Sequence, residues 1–474
     1  MNDERSRIVE KIIHRSSFIL PPMMRFDTRD LVYLDKPELD REFTRVLNVC
    51  NGCRLCDNLC PPFTDLFDRI DAEDDILTAA GSHTHNPVDE LKESDYKNLT
   101  DTCYQCKLCY PKCPYTPPHE YQLDFPRLLL RAQAIDVKQN GKSFKHKLRD
   151  SILGDADKAA AIASKFTGVF NWVNRNPLAR SLMQTAVGIH KKKKLPTFFS
   201  ESFVKRNKKN EHKTINQPID KVALFYTCVL NNNRPWVAEQ FKEVLEANNI
   251  EVIVPAQECC GMPELGTGDL SRVYPKVGRN IDRLLPLVQQ GYKIIAMSPS
   301  CSMMLRLEYE NYASDKEGAK LLSAATLDPC EYLMQIYRSG NLKTNFTHIS
   351  PMKVSYHVPC HLKVQNIGFQ TRDLMKLIPG VDVTTIQQCS GHDGSFSMKE
   401  EYYEISLDAG KKLFKAIEKE KPATVASDCS LAHLHIEQGS GEVPLHPIEI
   451  VYQAMGFTKF LNKESKKNET DSIR

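Results

Sequence analysis

Residues 50–61 read CNGCRLCDNLCP, and residues 103–114 read CYQCKLCYPKCP. Both stretches space their cysteines by three, three and four and close on proline: Cys50, Cys53, Cys56 and Cys60 before Pro61, then Cys103, Cys106, Cys109 and Cys113 before Pro114. Three thiolates at intervals of three can wrap a tight turn around one face of a cube of iron and sulfide. The fourth, set off by a longer gap, points away, and in two-cluster ferredoxins it ligates the other cluster. The spacing therefore assigns Cys50, Cys53, Cys56 and Cys113 to one [4Fe–4S] cluster and Cys103, Cys106, Cys109 and Cys60 to a second. The prolines fix the backbone and remove an N–H where the chain leaves each cluster. A zinc site usually pairs two knuckles and needs neither a third cysteine at the same interval nor a trailing Cys-Pro.

The surroundings of the motifs read as helix. About 40 residues separate them, far more than a compact bacterial ferredoxin needs. Phe63, Leu66, Phe67 and Ile70 after the first motif fall at helical spacing, and Leu123, Phe125, Leu128, Leu129 and Leu130 follow the second. The expectation is a helical ferredoxin-type domain over residues 40–135, behind an N-terminal extension of residues 1–39, with helices in place of a pair of β-hairpins.

Composition limits the reading of the remaining thiols. With 474 residues, 41% of them hydrophobic, the chain can fill two to four domain cores, and a net charge of +3 favours no partner class. Arg5, Arg7, Lys11 and Arg15 punctuate a start that lacks a secretory apolar core, and no run of eighteen apolar residues occurs. Sixteen cysteines in such a chain read as metal or redox sites, not as a disulfide framework, and the expected compartment is the cytoplasm.

From about Lys221 the texture becomes strand–helix alternation, which argues for α/β units with parallel sheets. Val222–Tyr226, Ile250–Val254 and Lys293–Met297 read as strands. Trp236, Val237, Phe241, Val244 and Leu245 form the apolar face of a helix whose other side carries Glu239, Lys242, Glu243 and Glu246. Cysteines stand near the ends of these elements: Cys228, the pair Cys259-Cys260 before Gly261, then Cys301. The order recurs about 130 residues later, with a strand before Cys360, Cys389 ahead of Ser390-Gly391, and a strand from Ala423 to Ser427 before Cys429. This is an internal duplication. The modules are expected at 219–345 and 346–460, followed by a polar tail at 461–474. A glycine after the paired cysteines would let the backbone approach a bulky cofactor.

The segments Tyr356-His357-Val358-Pro359-Cys360-His361, Glu258-Cys259-Cys260-Gly261-Met262-Pro263 and Ser427-Asp428-Cys429 resemble the duplicated CCG domain. That domain occurs in heterodisulfide reductase catalytic subunits, in glycolate and lactate oxidase iron–sulfur subunits, and in the iron–sulfur subunit of anaerobic glycerol-3-phosphate dehydrogenase. The chain is similar to the last of these in the order of its parts, from about residue 45 to 458. The resemblance implies an architecture that is α+β overall: a helical two-cluster ferredoxin domain, a helical linker, then two duplicated α/β CCG modules. It also implies single-electron transfer from a flavin-bearing dehydrogenase or other reductase partner through the two clusters to CCG-type sites, then to quinone or a partner oxidoreductase. An alternative is a heterodisulfide or thiol-disulfide reductase-like enzyme. A finer resemblance, carried by Arg25-Phe26-Asp27-Thr28-Arg29-Asp30 and by residues 103–109, is to a subgroup associated with rubrerythrin-type peroxide reductases as acceptors.

The chain departs from the full CCG pattern at three positions. Met304 and Ala432 stand where the last cysteine of each module would fall, and Ser390 replaces the second cysteine of the later pair. Module one thus offers Cys228, Cys259, Cys260 and Cys301, enough for one further cluster. The degenerate module two offers Cys360, Cys389 and Cys429, with Ser390, His361, His392 or His433 as candidates for a missing ligand. A five-thiolate centre lacks support in either. Cys330 falls outside the repeat and reads as a buried structural thiol.

Residues 136–218 read as a helical linker with a basic run. Phe166, Val169, Phe170 and Val173 make a stripe, Pro177 interrupts, and Leu178, Leu182, Met183 and Val187 resume it before Lys191-Lys192-Lys193-Lys194 and then Lys205, Arg206, Lys208 and Lys209. Such stripes more often cover a core, and such runs are usually solvated. Together they also suit peripheral placement on an anionic inner membrane face. No aromatic-and-basic motif suggests nucleic acid. No G-x-G-x-x-G follows a strand, so no flavin or NAD site is expected in this chain, and Gly266-Thr267-Gly268 reads as a turn before a helix. No catalytic residue can be named. The expected partner is a redox protein, a flavoprotein dehydrogenase or a rubrerythrin-type protein.

Overall fold

The computed structural model describes residues 27–82, 85–209, 215–346 and 351–459. The Arg25-Phe26 start of the finer resemblance, most of the N-terminal extension and the polar tail lie outside the described residues. The chain divides into two compact units, Met1–Ser143 with Glu264–Ser271, and Phe144–Pro263 with Arg272–Arg474.

The first unit is built of helices, and no strand occurs among its described residues. Helix α1, Lys36–Cys53, starts where the Asp35 carboxylate accepts the Glu38 N–H at 3.0 Å, and carries Cys50 and Cys53 in its last turn. Arg54 ends it in the left-handed region with φ 52°. Helix α2, Pro61–Ala79, opens on the two prolines after Cys60, a position where the missing N–H would be unpaired anyway. Helices α3, Glu93–Thr102, and α4, Phe125–Gln139, are its other long helices. Phe63, Leu66, Phe67 and Ile70 pack with Phe43, Val46 and Leu47 of α1 and with Leu128 and Leu129 of α4. Each such side chain contributes about 1.5–3 kcal/mol on burial. The buried Arg131 guanidinium donates to the Val32 and Tyr33 carbonyls, both at 2.7 Å, and so holds the chain ahead of α1.

The second unit opens with helices α5, Phe144–Gly154, α6, Ala156–Lys165, α7, Thr167–Arg175, and α8, Pro177–Val187. Pro177 starts α8, with Asn176 as its cap and Gly188 as its left-handed end. The apolar stripe at α7 and α8 does not cover a core: Phe166, Val169, Phe170, Leu178 and Leu182 are exposed, Leu178 by 78%, and Val173, Met183 and Val187 are half-buried. The lysine run is also not wholly solvated, because Lys193 is 2% exposed and meets His435.

Two parallel sheets follow. The first module contains β1, Asp220–Phe225, short helix α9, Cys228–Asn232, helix α10, Pro235–Ala247, and β2, Ile250–Ile253. It continues with α11, Leu270–Gln289, β3, Lys293–Ala296, α12, Pro299–Met303, β4, Thr326–Leu327, and α13, Pro329–Arg338. The sheet order is β2-β1-β3-β4, with Val222 paired to Val252 on one side and Lys293 on the other. Central β1 is buried from Val222 to Phe225, as a strand covered on both faces should be.

The second module repeats the scheme with β5, Met352–His357, α14, Cys360–Lys363, β6, Val381–Ile386, α15, Tyr403–Glu420, β7, Thr424–Ser427, α16, Ser430–Ser440, and α17, Pro447–Ala454. Its sheet order is β6-β5-β7, again parallel. One core joins the modules, with Phe241 and Leu245 of α10 in the same cluster as Val354, Ile448 and Tyr452. The polar side of α10 is not a solvent face. Glu239 and Lys242 are buried, paired to Arg206 at 3.3 Å and Asn207 at 2.7 Å on the helix Phe203–Lys209.

Candidate iron–sulfur sites

In the first unit, the end of α1, a 3-10 turn at Asp57–Leu59 and the short helix Cys109–Lys112 with the loop before it bring the cysteines into two groups. Burial pushes the Cys50 thiol well up, and the neighbouring Cys113, Cys56 and Cys53 add to it. Cys56 is pushed up to about 11 by burial, against Lys112, with Cys113 and Cys53 adding to the shift. Around Cys109 the neighbours are different: after burial, Cys103 and Cys60 raise it most, followed by Cys56. Cys60, Cys103, Cys106 and Cys109 line one pocket with Leu59, Phe63, Phe125 and Leu129.

The loop from Cys103 to Cys109 curls because Gln105 and Lys107 both take left-handed φ, 48° and 58°. Gln105 is buried, and its Nε2 donates to Cys103 Sγ at 3.6 Å. Neither the strained loop nor this amide was legible from the cysteine spacing. Tyr115 lies against the other group, its hydroxyl pushed up to about 12 by burial and by Cys53.

In the second unit, the module-one cysteines stand beyond the carboxyl ends of β1, β2 and β3, the side of a parallel sheet where ligands gather. Cys228 opens α9, Cys259 and Cys260 lie in the loop after β2, and Cys301 is in α12. Their sulfurs form a row. Cys228 touches Cys259, Cys259 touches Cys260, and Cys260 touches Cys301, and each contact shifts the thiols involved. The contact with Cys259 raises Cys228 most, ahead of burial. A π-helical turn, Met304–Glu308, follows α12, and Met304 is fully buried.

Two further side chains brace this loop. Asn280, 0% exposed, accepts the Glu258 N–H at 2.9 Å and donates to the Cys259 carbonyl at 3.2 Å; the Tyr309 hydroxyl lies 3.0 Å from its Nδ2. Asp157 of α6, some 70 residues before the first module cysteine, accepts the Cys259 N–H at 2.6 Å. Burial raises this carboxyl while Lys276 opposes the shift. No local pattern around Asp157 announces the contact.

Module two is arranged differently. Cys360 opens α14, Cys389 follows β6, and Cys429 follows β7. Burial pushes Cys429 up to about 11, and the acidic neighbours that add to it are Asp428 and Asp393, not thiols. Cys389 Sγ accepts the Gly391 N–H at 3.2 Å. Of the candidate extra ligands, His433 is used at both nitrogens, by Arg234 and by the Ser427 carbonyl. Nδ1 of His361 meets Ser300 Oγ at 2.9 Å, and Nδ1 of His392 meets Ser397 Oγ at 2.9 Å. Ser390 Oγ accepts the His392 N–H at 3.4 Å. Gly391 is required by a helix: a Cβ there would lie 1.8 Å from the Ser406 carbonyl oxygen of α15. In module one, Gly261 has φ 91° and its nearest neighbour is Met304 Cε at 3.6 Å.

Cys330 is fully buried, with its Sγ 3.8 Å from Asp428 Oδ1 and its N–H donated to Asp328 at 3.0 Å. Burial and the facing Asp428 push the Asp328 carboxyl well up. None of the sixteen cysteines is in a disulfide.

The donor sets fit iron–sulfur clusters in three of these places. Grouped thiols, buried or half-buried, resist ionising beside one another, and a metal centre supplies the positive charge that makes several adjacent thiolates tolerable. That argument covers the two groups of the first unit and the row in module one. It does not extend to module two, where the shift of Cys429 owes nothing to a neighbouring thiol.

Residues 43–139 match the Citrate utilization protein B Fer4-like domain, and residues 222–306 and 354–437 match the Cysteine-rich domain, CCG. A subunit of the anaerobic glycerol-3-phosphate dehydrogenase of Escherichia coli K12 is 27% identical over 396 residues, covering 75% of this chain and 98% of the relative. A subunit of the fumarate reductase (CoM/CoB) of Methanothermobacter marburgensis is 26% identical over 406 residues, covering 81% and 79%. Lactate utilization protein A of Halalkalibacterium halodurans is 30% identical over 189 residues, covering 38% and 73%. No helix among the described residues is long and apolar enough to cross a membrane.

Proposed function

The chain belongs to the family of CCG-domain iron–sulfur proteins, and we propose that within it this protein is an electron-transfer subunit or partner. In this reading it takes single electrons from a flavin or reductase partner, passes them through two [4Fe–4S] clusters to a centre in module one, and delivers them to quinone or a partner oxidoreductase. The observation that carries it is the grouping of twelve cysteines into two quartets and one row.

Cys50, Cys53, Cys56 and Cys113 would hold one cluster, Cys103, Cys106, Cys109 and Cys60 the second, and Cys228, Cys259, Cys260 and Cys301 the third. A [4Fe–4S] cluster, when bound, exchanges one electron at a time. The chain's own residues tune the sites. Gln105 donates to a ligand sulfur, and donors to thiolate sulfur are among the levers that set a potential. Asn280 and Tyr309 fix the Cys259 loop so that its thiols need not reorganise. Module two serves as packing partner, its α17 lying in the core of module one.

The exposed apolar side chains of α7 and α8, with Lys191 and Lys192 exposed beside them, support placement on an anionic membrane surface. The test of the relay is anaerobic purification with iron and sulfide counts and EPR, with and without Cys259→Ser. Three centres in the wild type and two in the variant support it. Two centres in both would remove module one from the relay.

A further inference from the structure

The geometry points to Asp157 as an oxygen ligand of the module-one centre, acting beside Cys228, Cys259, Cys260 and Cys301. This rests on the reading of module one as a metal centre, and adds a residue from outside the cysteine-rich module.

Three observations converge on it. A carboxylate oxygen of Asp157 and the sulfurs of Cys228 and Cys259 all lie within 4.8 Å of one another, which is ligand-set spacing. The carboxylate is oriented, because Oδ2 accepts the Cys259 N–H at 2.6 Å. Its other oxygen, Oδ1, is buried and has no hydrogen-bond partner among the described residues. A buried acceptor left without a donor is costly. An iron at the Cys228–Cys259 end of the row would remove that cost.

Asp155, two residues earlier, takes the ion pairs to Arg272 at 2.6 Å and Lys276 at 3.0 Å, while Lys276 acts on Asp157 only through its charge. The module also lacks a fifth thiolate, because a buried thioether, Met304, stands at that sequence position. Carboxylate oxygen is a harder donor than thiolate, and exchanging donor type at one iron is a known lever on potential.

The competing account is that Asp157 only caps the Cys259 N–H. Asp157→Asn separates the two, since an amide oxygen still accepts that N–H but the anionic oxygen is gone. Asp157→Cys replaces the oxygen by a thiolate. The full-length protein, grown on 57Fe and purified anaerobically, is compared by Mössbauer spectroscopy and EPR for wild type and both variants. The wild type should show an iron component with an oxygen-type isomer shift beside the all-sulfur irons. Asp157→Asn should lose it, and Asp157→Cys should convert it to an all-sulfur component, with the ferredoxin-type signals unchanged in each. A third centre whose irons are all sulfur-ligated in the wild type overturns the assignment, whatever the variants do. So does a third-centre spectrum identical in all three proteins. No third centre in the wild type overturns this assignment together with the reading of module one as a metal site.

Discussion

Arg234, just ahead of α10, and Glu449, in the first turn of α17, join the two cysteine-rich modules through an ion pair of 2.8 Å. The Glu449 carboxylate is buried and also accepts the Trp236 indole N–H at 2.9 Å and the His446 N–H at 2.7 Å. Removing one member of such a pair strands the other, which typically costs about 3–5 kcal/mol. Arg234→Ala should therefore lose stability of that order in urea unfolding, while Arg234→Ala with Glu449→Gln should lose less than the single change. Equal losses would mean that the pair does not couple the modules.

The exchange of fourth ligands can be read from iron counts in double variants. Cys53→Ser with Cys113→Ser strikes one quartet twice and should remove about four irons. Cys106→Ser with Cys113→Ser strikes both quartets and should remove about eight. The reverse order of losses would show that each motif keeps its own fourth cysteine.

The two modules should respond unequally to loss of a thiol. Cys260→Ser should abolish the third EPR component, whereas Cys429→Ser should leave iron content and spectra as in the wild type. Loss of iron on changing Cys429 would place a centre in module two.

Lys193 gives a pH signature. Burial lowers its ammonium from the ordinary 10.5 to about 7. Its Nζ lies 2.5 Å from His435 Nδ1, which accepts because Nε2 donates to the Ser406 carbonyl at 3.2 Å. Below pH 7 both folded and unfolded chains hold the proton, and the fold bears the cost of a buried charge. Between about 7 and 10.5 only the unfolded chain holds it, so this group makes stability rise with pH, by up to about 1.4 kcal/mol per unit. Lys193→Met should remove that slope from denaturation curves taken at pH 7, 8 and 9. An unchanged slope would mean that the ammonium is not buried as described.

Membrane placement predicts a dependence on apolar side chains and not on lysines alone. Trp172→Ser with Leu178→Ser should weaken co-sedimentation with anionic vesicles by about tenfold or more. Binding that disappears at high salt but ignores these two substitutions would reduce the contact to electrostatics.

Local sequence made much of this structure readable, and the unread parts share a cause. The helical positions of Phe63, Leu66, Phe67 and Ile70, and the strands at Val222, Ile250, Lys293, Val354 and Thr424, follow from periodicity within a few residues. Strand β6, VDVTTI, escaped because its threonines are only partly covered and no apolar run marks it. The two-residue β4 carries too little pattern to see. In a run of four lysines nothing local says that Lys193 turns inward, and nothing near Asp157 says that it reaches Cys259. Such facts belong to tertiary contacts between distant segments, which one-dimensional spacing does not encode.

The depth of the thiols has a practical side. Three of the four module-one thiols, Cys259, Cys260 and Cys301, are buried and Cys228 is partly open, whereas all eight cysteines of the first unit are partly open to solvent. Oxidants attack what they can reach. A preparation opened to air should therefore bleach in two stages, the quartets first and the module-one centre later. Brief aerobic handling thus becomes a way to isolate the inner centre's spectrum from its brighter neighbours.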